Sequence, residues 1–584
     1  MKYALKERIG NPDLFTGRKE ELAFFLKWIE GIKKEKSKST AILARRKMGK
    51  TALMERLFNI VFDQNNGVIP FYYEIKETKM WIGDFCVDFF LTFIYQYIAF
   101  KTRSPKYLSP EEKGDFKIAI DIANKEGMGY LTGVINSVSN AYALERVDIL
   151  WEIVRNVPKD MAFRQNEFIV QMIDEFQFLN SQIYWDKEKK NLADTIAGGY
   201  LSTAESKIAP LLVSGSWVGW LVNLLLMMLP ARFKFRYLGN MPEDEAIEMI
   251  FKYSLYFEVP VTDETAYFIA QLTEGSPFYI SAILDSECPD KDLTNSEGLI
   301  RTLEFETLND SGEIKSTWMT YVASAFSRVN DKNAKNIVLY LCKHRDREVT
   351  RKELLEKLPL DMTDAELEKR LKALVKADII RQGSTNFDYR GVQDNIFDKV
   401  FRGVYQKEIE SFDPDQIRKE YQEALDNSKK NYNQLQGKLN YYKGYYAEYA
   451  IADHLRYHGR EKNILLKSIT RNLPADFNFC DYERVWKYSA AIDHARGISA
   501  DILAQAKSPG NYSIIIEVKN RDTRSFSKEE AAAFVDKFER IKEKENLSPA
   551  IGFVFSIKGF SKEAEDYLKE KGIAISGDEQ WLGI

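Results

Sequence analysis

The sequence predicts an α/β protein in several parts: an N-terminal parallel sheet covered by helices, a helical middle ending in a winged-helix order, and a C-terminal αβ domain. Three observations carry this. Short apolar runs alternate with helical pattern over the first 240 residues, the order of a parallel sheet covered on both faces. One of those runs, residues 40–44, leads through a glycine turn straight into a helix. Strands then return from about residue 484 and alternate with helices almost to the end.

The elements follow in order. An amphipathic helix opens near Leu14 and runs to about Ile32, and a lysine-rich loop follows. Residues 40–44 and 68–74 read as strands, with a helix over 51–62 between them. Residues 80–165 are mostly helical pattern. Residues 168–173 form a short, nearly continuous apolar run ending in acids, the mark of a buried strand; 209–213 and 235–238 complete the sheet. Residues 241–325 read as helical. Helices over 333–343, to 358 behind a Val349-Thr350 cap, and over 363–376 precede two short strands, 378–381 and 387–392, turning across Gly383. That is the order of a winged helix. A long helical pattern over 413–457 is polar first, then rich in tyrosine. Strands at 484–488, 499–505, 512–518 and 549–556, with helices over 527–545 and 561–571, make the last domain. The expected domains are 1–240, a sheet core; 241–325, a helical lid; 326–410, a winged helix; 411–440, a helical linker; and 441–584, the terminal αβ domain.

At about 100–200 residues per domain, 584 residues accommodate this organisation. The formal net charge of −4 leaves no basic footprint on the whole chain, so any nucleic-acid contact is local. Cys86, Cys288, Cys342 and Cys480 are far apart and form no C-x-x-C pair, which fits a reducing cytoplasm. The first ten residues are charged and carry no apolar signal core. The apolar run 85–100 is interrupted by Asp88 and Gln96, and 217–229 is one short helix. Both are expected to be buried helices, with no membrane partner.

Ala44-Arg45-Arg46-Lys47-Met48-Gly49-Lys50-Thr51 matches G-x-x-x-x-G-K-[ST] except at its first position, and it lies between a strand and a helix, the context the motif needs. Backbone N–H groups of such a loop and the helix N-terminus surround phosphate oxygens. Lys50 is expected to reach the β- and γ-phosphates of ATP, and Thr51 to ligate Mg²⁺. Ala44 departs from the motif because alanine resists the positive φ that glycine accepts, so a slightly altered loop is expected. Residues 169–175 supply the second half: Asp174, at the strand end, for the Mg²⁺ shell, and Glu175 to polarise the attacking water.

Phe15-Thr16-Gly17-Arg18-Lys19-Glu20-Glu21-Leu22, the Ala44-Arg45-Arg46 stretch ahead of Gly49-Lys50-Thr51, and Ser214-Gly215-Ser216 together resemble the archaeal-type ATPases of the STAND branch of AAA+-like P-loop proteins, over about residues 10–280. The resemblance implies that residues 15–18 lie near adenine and that Ser214 is a sensor. Arg232 falls where AAA+ proteins carry an arginine finger that completes a neighbouring subunit's site; a surface charge at a helix end is the other reading. Gly275-Ser276-Pro277 resembles the branch's G-x-P loop, and equally fits a glycine ending one helix and a proline starting the next. The third helix of the winged unit carries Lys369, Arg370, Lys372 and Lys376 beside Asp364, Glu366 and Glu368. This mixed charge favours a lid packed on the ATPase over a DNA reader.

In the last domain, Asp501 near the start of one strand and Glu517 and Lys519 on the next are expected at one sheet edge. Two carboxylates can hold Mg²⁺ or Mn²⁺, the metal activates water, and the lysine orients it or stabilises charge. Glu448, on the preceding helix, would add a third carboxylate. E-x-K is weak alone, since Glu74-Ile75-Lys76 and Glu313-Ile314-Lys315 also fit it. The helix–strand–strand order and the 551–574 tail resemble the PD-(D/E)xK nucleases of the restriction-endonuclease-like fold, in their Mrr-like and archaeal-ATPase-associated branch, with Ala500 where that family usually has proline. The resemblance implies metal-dependent DNA cleavage, with DNA as partner, in defence or mobile-element biology. The alternative is an ATP-driven regulator or DNA-binding protein whose nuclease fold is inactive. His454 and His458, with Cys480 and His494, match no zinc module by spacing.

Overall fold

Thr40–Leu43 is four consecutive buried residues, and in the computed structural model it is β1, an inner strand of a five-stranded sheet. The structure describes residues 4–109, 114–216, 218–329, 333–392, 394–409, 414–493, 496–521 and 523–583. The chain divides into two compact units, Met1–Ser428 and Lys429–Ile584.

In the first unit the remaining strands are β2 (Val68–Glu74), β3 (Met80–Trp81), β4 (Phe168–Asp174), β5 (Ile183–Tyr184), β6 (Leu211–Gly215) and β7 (Lys234–Tyr237). The main sheet has the order β2-β4-β6-β1-β7 and every pair in it is parallel. β3 and β5 pair separately. The register sets Ile42 beside Ser214 and Ile173 beside Val213. The C-terminal ends of β1, β6 and β4 therefore open on one edge, with β6 between the strand that feeds the glycine loop and the strand that ends in acids. β7 is an exposed edge strand carrying Lys234 and Arg236, charges that discourage further strand pairing.

At the other edge, Gln96 offers its amide to β2. Its Oε1 accepts from Tyr72 N–H and its Nε2 donates to Tyr72 C=O, both at 2.8 Å. Gln96 lies on the helix Ile82–Thr102, which is long and apolar enough by composition to cross a membrane. This corrects the expectation that the run is too interrupted for that. The helix is nonetheless a core element: 78% of its apolar window is buried inside the protein, where Phe89 and Phe93 pack edge-on against Phe71 of β2.

Five helices follow the sheet: Glu243–Tyr256, Asp263–Leu272, Pro277–Asp285, Ser296–Leu308 and Glu313–Val329. The winged unit has helices Ala334–Lys343, Arg351–Lys357 and Asp364–Lys376, with β8 (Val349–Thr350), β9 (Ile380–Gln382) and β10 (Asp388–Gly391) in the order β8-β10-β9. Thr350 both ends β8 and caps the next helix through Glu353 N–H. In the helix Asp364–Lys376, Glu368 pairs with Arg351 at 2.6 Å and with Lys372 at 2.5 Å. Its far end lies against the helix Val218–Met228: a Cβ on Gly219 would stand 2.7 Å from Lys376 Cα.

The helix Pro414–Tyr457 starts in the first unit and ends in the second. There, β11 (Tyr482–Asp493), β12 (Arg496–Ala506), β13 (Ser513–Lys519), β14 (Ala550–Ser556) and β15 (Ala574–Ser576) form one sheet in chain order. The first two pairings are antiparallel and the last two parallel. Ala447, Ile451 and Leu455 of the long helix pack on one face with Phe477, Phe479 and Trp581. Phe534, Phe538 and Leu568, from helices Lys528–Lys544 and Lys562–Glu570, pack on the other.

Candidate functional site

Lys50 begins the helix Lys50–Gln64, with Gly49 at φ 79° just before it. Lys50 is buried and its Nζ donates to the carbonyls of Ala44 at 3.0 Å and Arg45 at 2.9 Å. Burial pulls its amine below the ordinary range, against the opposing charges of Glu175 and Asp174. The left-handed positions of the loop are Lys47 and Gly49, not Ala44. The altered geometry expected at Ala44 has no basis, because its φ is one that alanine adopts without strain.

Thr51 Oγ1 donates to Asp174 Oδ2 at 2.6 Å, and Ser214 Oγ donates to Asp174 Oδ1. The strand order explains this triad: β6 puts Ser214 between the loop and the acid strand. Glu175, at φ 55°, turns its carboxylate toward Ser216, whose Oγ and N–H donate to Oε2 at 2.8 and 3.2 Å; Gln177 donates to the same oxygen. Ser216 and Gln177 as holders of Glu175 escaped the sequence reading, although Ser216 stands two residues from the serine it singled out.

These groups open into one cavity of about 750 Å³. Lys50, Thr51 and Glu175 line one end; Ile9, Leu14, Phe15, Met241, Met249 and Tyr253 give an apolar wall. An apolar slot beside a basic, hydrogen-bonding end fits a flat base joined to phosphates. Thr16 and Arg18 border it too. Arg18 is buried and donates to the carbonyls of Gly239 at 2.7 Å and Met48 at 3.0 Å. Pro277 and Phe278 close the cavity from the lid. Gly275, at φ 70°, must be glycine, since a Cβ there would meet Met241 O at 2.3 Å.

The loop's other cations reach outward, Arg45 and Arg46 both to rings of the helix Glu313–Val329. Arg45 Nη1 pairs with Asp394 at 3.0 Å and its guanidinium lies 5.1 Å from the Trp318 ring. Burial is the largest single influence and works against that charge, but Asp394, Tyr279, Tyr321 and Asp378 together outweigh it and hold Arg45 above its ordinary value. Tyr279 OH donates to Asp394 at 2.8 Å and accepts from Trp318 Nε1 at 2.9 Å. Arg46 pairs with Glu77 at 2.6 Å and faces Tyr321; Lys47 lies 4.8 Å from the Phe278 ring. Met48 contributes its carbonyl to Arg18. Arg232 does not line the cavity: it pairs with Glu205 at 2.7 Å.

In the second unit, Asp501 and Glu517 lie on neighbouring strands, one step beyond the register pair Ile502 and Ile516. The register between β11 and β12 shifts between Trp486 and Tyr488, which leaves one extra residue on β12 around Asp501. Such a bulge re-aims a side chain. Asp501 Oδ2 accepts from Val518 N–H at 2.8 Å. Burial first, then the Glu517 charge, raises the Asp501 carboxyl. Burial also acts to raise Glu517, but Lys519 at 2.6 Å and Lys537 at 2.5 Å outweigh it and hold the carboxyl below its ordinary value. The Glu448 carboxylate, whose charge also reaches Asp501, pairs with Lys487 at 2.8 Å. Among the described residues no three ligating side chains are grouped closely enough to hold a metal ion. What remains is a two-carboxylate set beside a lysine, and hard cations accept such a set when water or phosphate oxygens complete the shell. Lys537, on the helix Lys528–Lys544, was not foreseen. His454 stands 3.3 Å from Lys462 Nζ and His458 pairs with Glu461; His494 lies outside the described residues.

No family model and no curated protein matches the chain. Among solved structures, the Walker-type ATPase of Pyrococcus abyssi is similar at 15% identity, covering 68% of this chain and 98% of that one, with a TM-score of 0.42. The Aeropyrum pernix ORC2 protein is similar at 14% identity, over 67% of this chain and 94% of that one, with a TM-score of 0.36. The Thermotoga maritima RuvB Holliday junction branch migration motor is similar at 12% identity, over 70% and 98%, with a TM-score of 0.30.

Proposed function

We propose that the first unit is an ATPase of the P-loop, AAA+-like kind, in its STAND branch. The observation that carries this is the meeting of Lys50, Thr51, Asp174 and Glu175 at one edge of a parallel sheet, in or beside a cavity with an apolar slot. Lys50 exchanges the carbonyls of Ala44 and Arg45 for phosphate oxygens. The loop N–H groups and the helix N-terminus bind the same anion. Thr51 and Asp174 are the residues that would hold Mg²⁺, a role suited to two oxygens already 2.6 Å apart. When bound, the cation offsets charge on the transferring phosphate. Glu175 takes a proton from the attacking water, and Ser216 holds the carboxylate in place for it. Arg232, outside its own cavity, is read as a finger offered to a second copy, which makes the working form a homo-oligomer.

For the second unit we infer metal-dependent DNA cleavage at Asp501, Glu517 and Lys519, in the PD-(D/E)xK manner. Asp501 and Glu517 would hold Mg²⁺ or Mn²⁺, which supplies an activated water when bound. Lys519 orients that water or steadies the charge that develops on phosphate. The competing reading is an ATP-driven regulator that keeps the fold for contact only. It is favoured by the Glu448–Lys487 pair and by the two lysines that already occupy Glu517.

One experiment separates them. Wild-type and Asp501→Ala proteins are assayed side by side for phosphate release and for plasmid nicking in Mn²⁺. The nuclease reading expects nicking lost in Asp501→Ala with ATP turnover retained. Nicking at the wild-type rate by Asp501→Ala, or none by the wild type, transfers the assignment to the regulator.

A further inference from the structure

Residues 427–447, within the helix Pro414–Tyr457, hold Lys429, Lys430, Lys438 and Lys443 and not one acid, in a chain whose net charge is −4. Over the last two turns of that stretch and the next, five tyrosines stand in solvent: Tyr441 is 70% exposed, Tyr442 65%, Tyr445 62%, Tyr446 50% and Tyr449 57%. Opposite them Ala447 and Ile451 are buried in the core of the second unit. The helix thus has one face for folding and one that folding leaves uncovered. Uncovered aromatic rows of this kind mark a binding surface.

The charge decides what the surface takes. A second copy docked here would set lysines against lysines. A polyanion with flat rings satisfies both features at once: phosphates for the lysines, bases for the tyrosines. Tyr441, Tyr445 and Tyr449 are spaced i, i+4, i+8, so they rise up one face about 6 Å apart, as a ladder. Bases must be unpaired to stack on such rungs, so the partner is a single strand. A duplex keeps its bases inside and offers only phosphate.

The ladder also leads somewhere. Glu448 stands between Tyr445 and Tyr449 on the same helix and pairs with Lys487, whose amine also feels the charge of Asp501. We propose that this tyrosine face, with Lys438 three residues before Tyr441 on the same side, binds a single-stranded nucleic-acid segment and presents it beside the Asp501–Glu517–Lys519 centre. The purpose of that presentation rests on the DNA-cleaving reading of the centre. Binding itself does not.

The test uses the full chain carrying Asp501→Ala, so that no probe is cut, and a fluorescein-labelled oligo-dT strand followed by anisotropy. A labelled duplex of the same length is the comparison. The single strand is expected to bind more tightly than the duplex. Changing Tyr441, Tyr445 and Tyr449 together to Ala is expected to weaken it at least tenfold, since each stacked base contributes about 1–3 kcal/mol. The triple change to Phe retains binding, and both variants keep wild-type circular dichroism and ATP turnover. Lys438→Ala lowers the salt slope by about 0.7. Equal affinity of the Ala triple variant and its parent overturns the proposal. So does sedimentation showing a wild-type dimer that the Ala triple variant dissolves, which would make the face a self-association surface. Cleavage assays on proteins with Asp501 intact keep the two readings apart. Binding without any cleavage removes the nuclease and leaves the strand site standing; cleavage indifferent to the three tyrosines removes the presentation to the centre and leaves the nuclease standing.

Discussion

Arg45 on the nucleotide loop and Asp394 at the head of the helix Asn395–Ile409 form an ion pair at 3.0 Å across 349 positions of sequence. Asp394 is also the cap of that helix, accepting from Ile396 N–H at 3.1 Å and Phe397 N–H at 2.9 Å. One carboxylate therefore ties the start of that helix to the glycine loop for which phosphate binding is proposed. Asp394→Ala strips the cap and leaves the guanidinium unpaired, at an expected cost of about 1–3 kcal/mol. A double-mutant cycle with Arg45→Met, read by urea unfolding, is expected to give a coupling above about 0.5 kcal/mol. Stopped-flow release of a fluorescent ATP analogue should be faster in both single variants. Additive unfolding energies and unchanged release would show the pair to be idle.

Lys50→Ala should weaken ATP binding by an order of magnitude or more, because its charge-assisted bonds to phosphate have no substitute in the loop. Isothermal calorimetry reads this directly. The carbonyls of Ala44 and Arg45 then lose their donor, so a modest drop in the unfolding midpoint accompanies the change. Wild-type affinity in this variant would remove Lys50 from the site.

Glu175→Gln keeps the shape that Ser216 holds but replaces a base with a carboxamide. ATP binding should persist while single-turnover hydrolysis falls by about 100-fold or more. The complex can then be recovered with uncleaved ATP by gel filtration. Hydrolysis at the wild-type rate would show that another group activates the water.

Glu55, on the helix that follows the loop, is pushed up to about 7 by burial, although it accepts from Arg8 N–H at 2.8 Å. Between its ordinary value of 4.5 and about 7 the folded chain holds a proton that the unfolded chain has released. The stability this contributes is whole below the ordinary value and is lost as pH rises through about 7. Glu55→Gln should flatten that part of the unfolding-midpoint profile against pH. A variant whose profile keeps the wild-type slope would mean that Glu55 titrates normally.

What the sequence made legible was local. Lys50, Thr51, Asp174 and Glu175 are each written in a few adjacent residues, and the strand before each group fixes its position. Asp501, Glu517 and Lys519 were legible in the same way, through a hairpin. The partners of these groups come from far along the chain or from another element. Asp394 reaches Arg45, Tyr279 reaches Asp394, and Lys537 reaches Glu517 from a helix that packs under the sheet. Nothing in the residues around Asp394 distinguishes it from an ordinary helix cap. Glu448 has a partner of the same distant kind: the lysine that pairs with it lies on β11, 39 residues on. Ala44 was noticed for a positive φ that the backbone has instead at Lys47 and Gly49.

The three cations between Ala44 and Met48 are already engaged: Arg45 with Asp394, Arg46 with Glu77 and Tyr321, Lys47 with Phe278. In electrical terms the loop is a junction with its terminals wired. A triphosphate arriving there takes Lys50 from two backbone carbonyls and meets Arg18 at the cavity border, but gains the charge of Arg45, Arg46 or Lys47 only by unplugging it from its present partner. The negative charge of the ligand and the grip on the surrounding helices thus draw on one supply. Salt should loosen the more exposed Arg46–Glu77 tie before the largely buried Arg45–Asp394 tie, so the loop gives up its charges one after another as ionic strength rises.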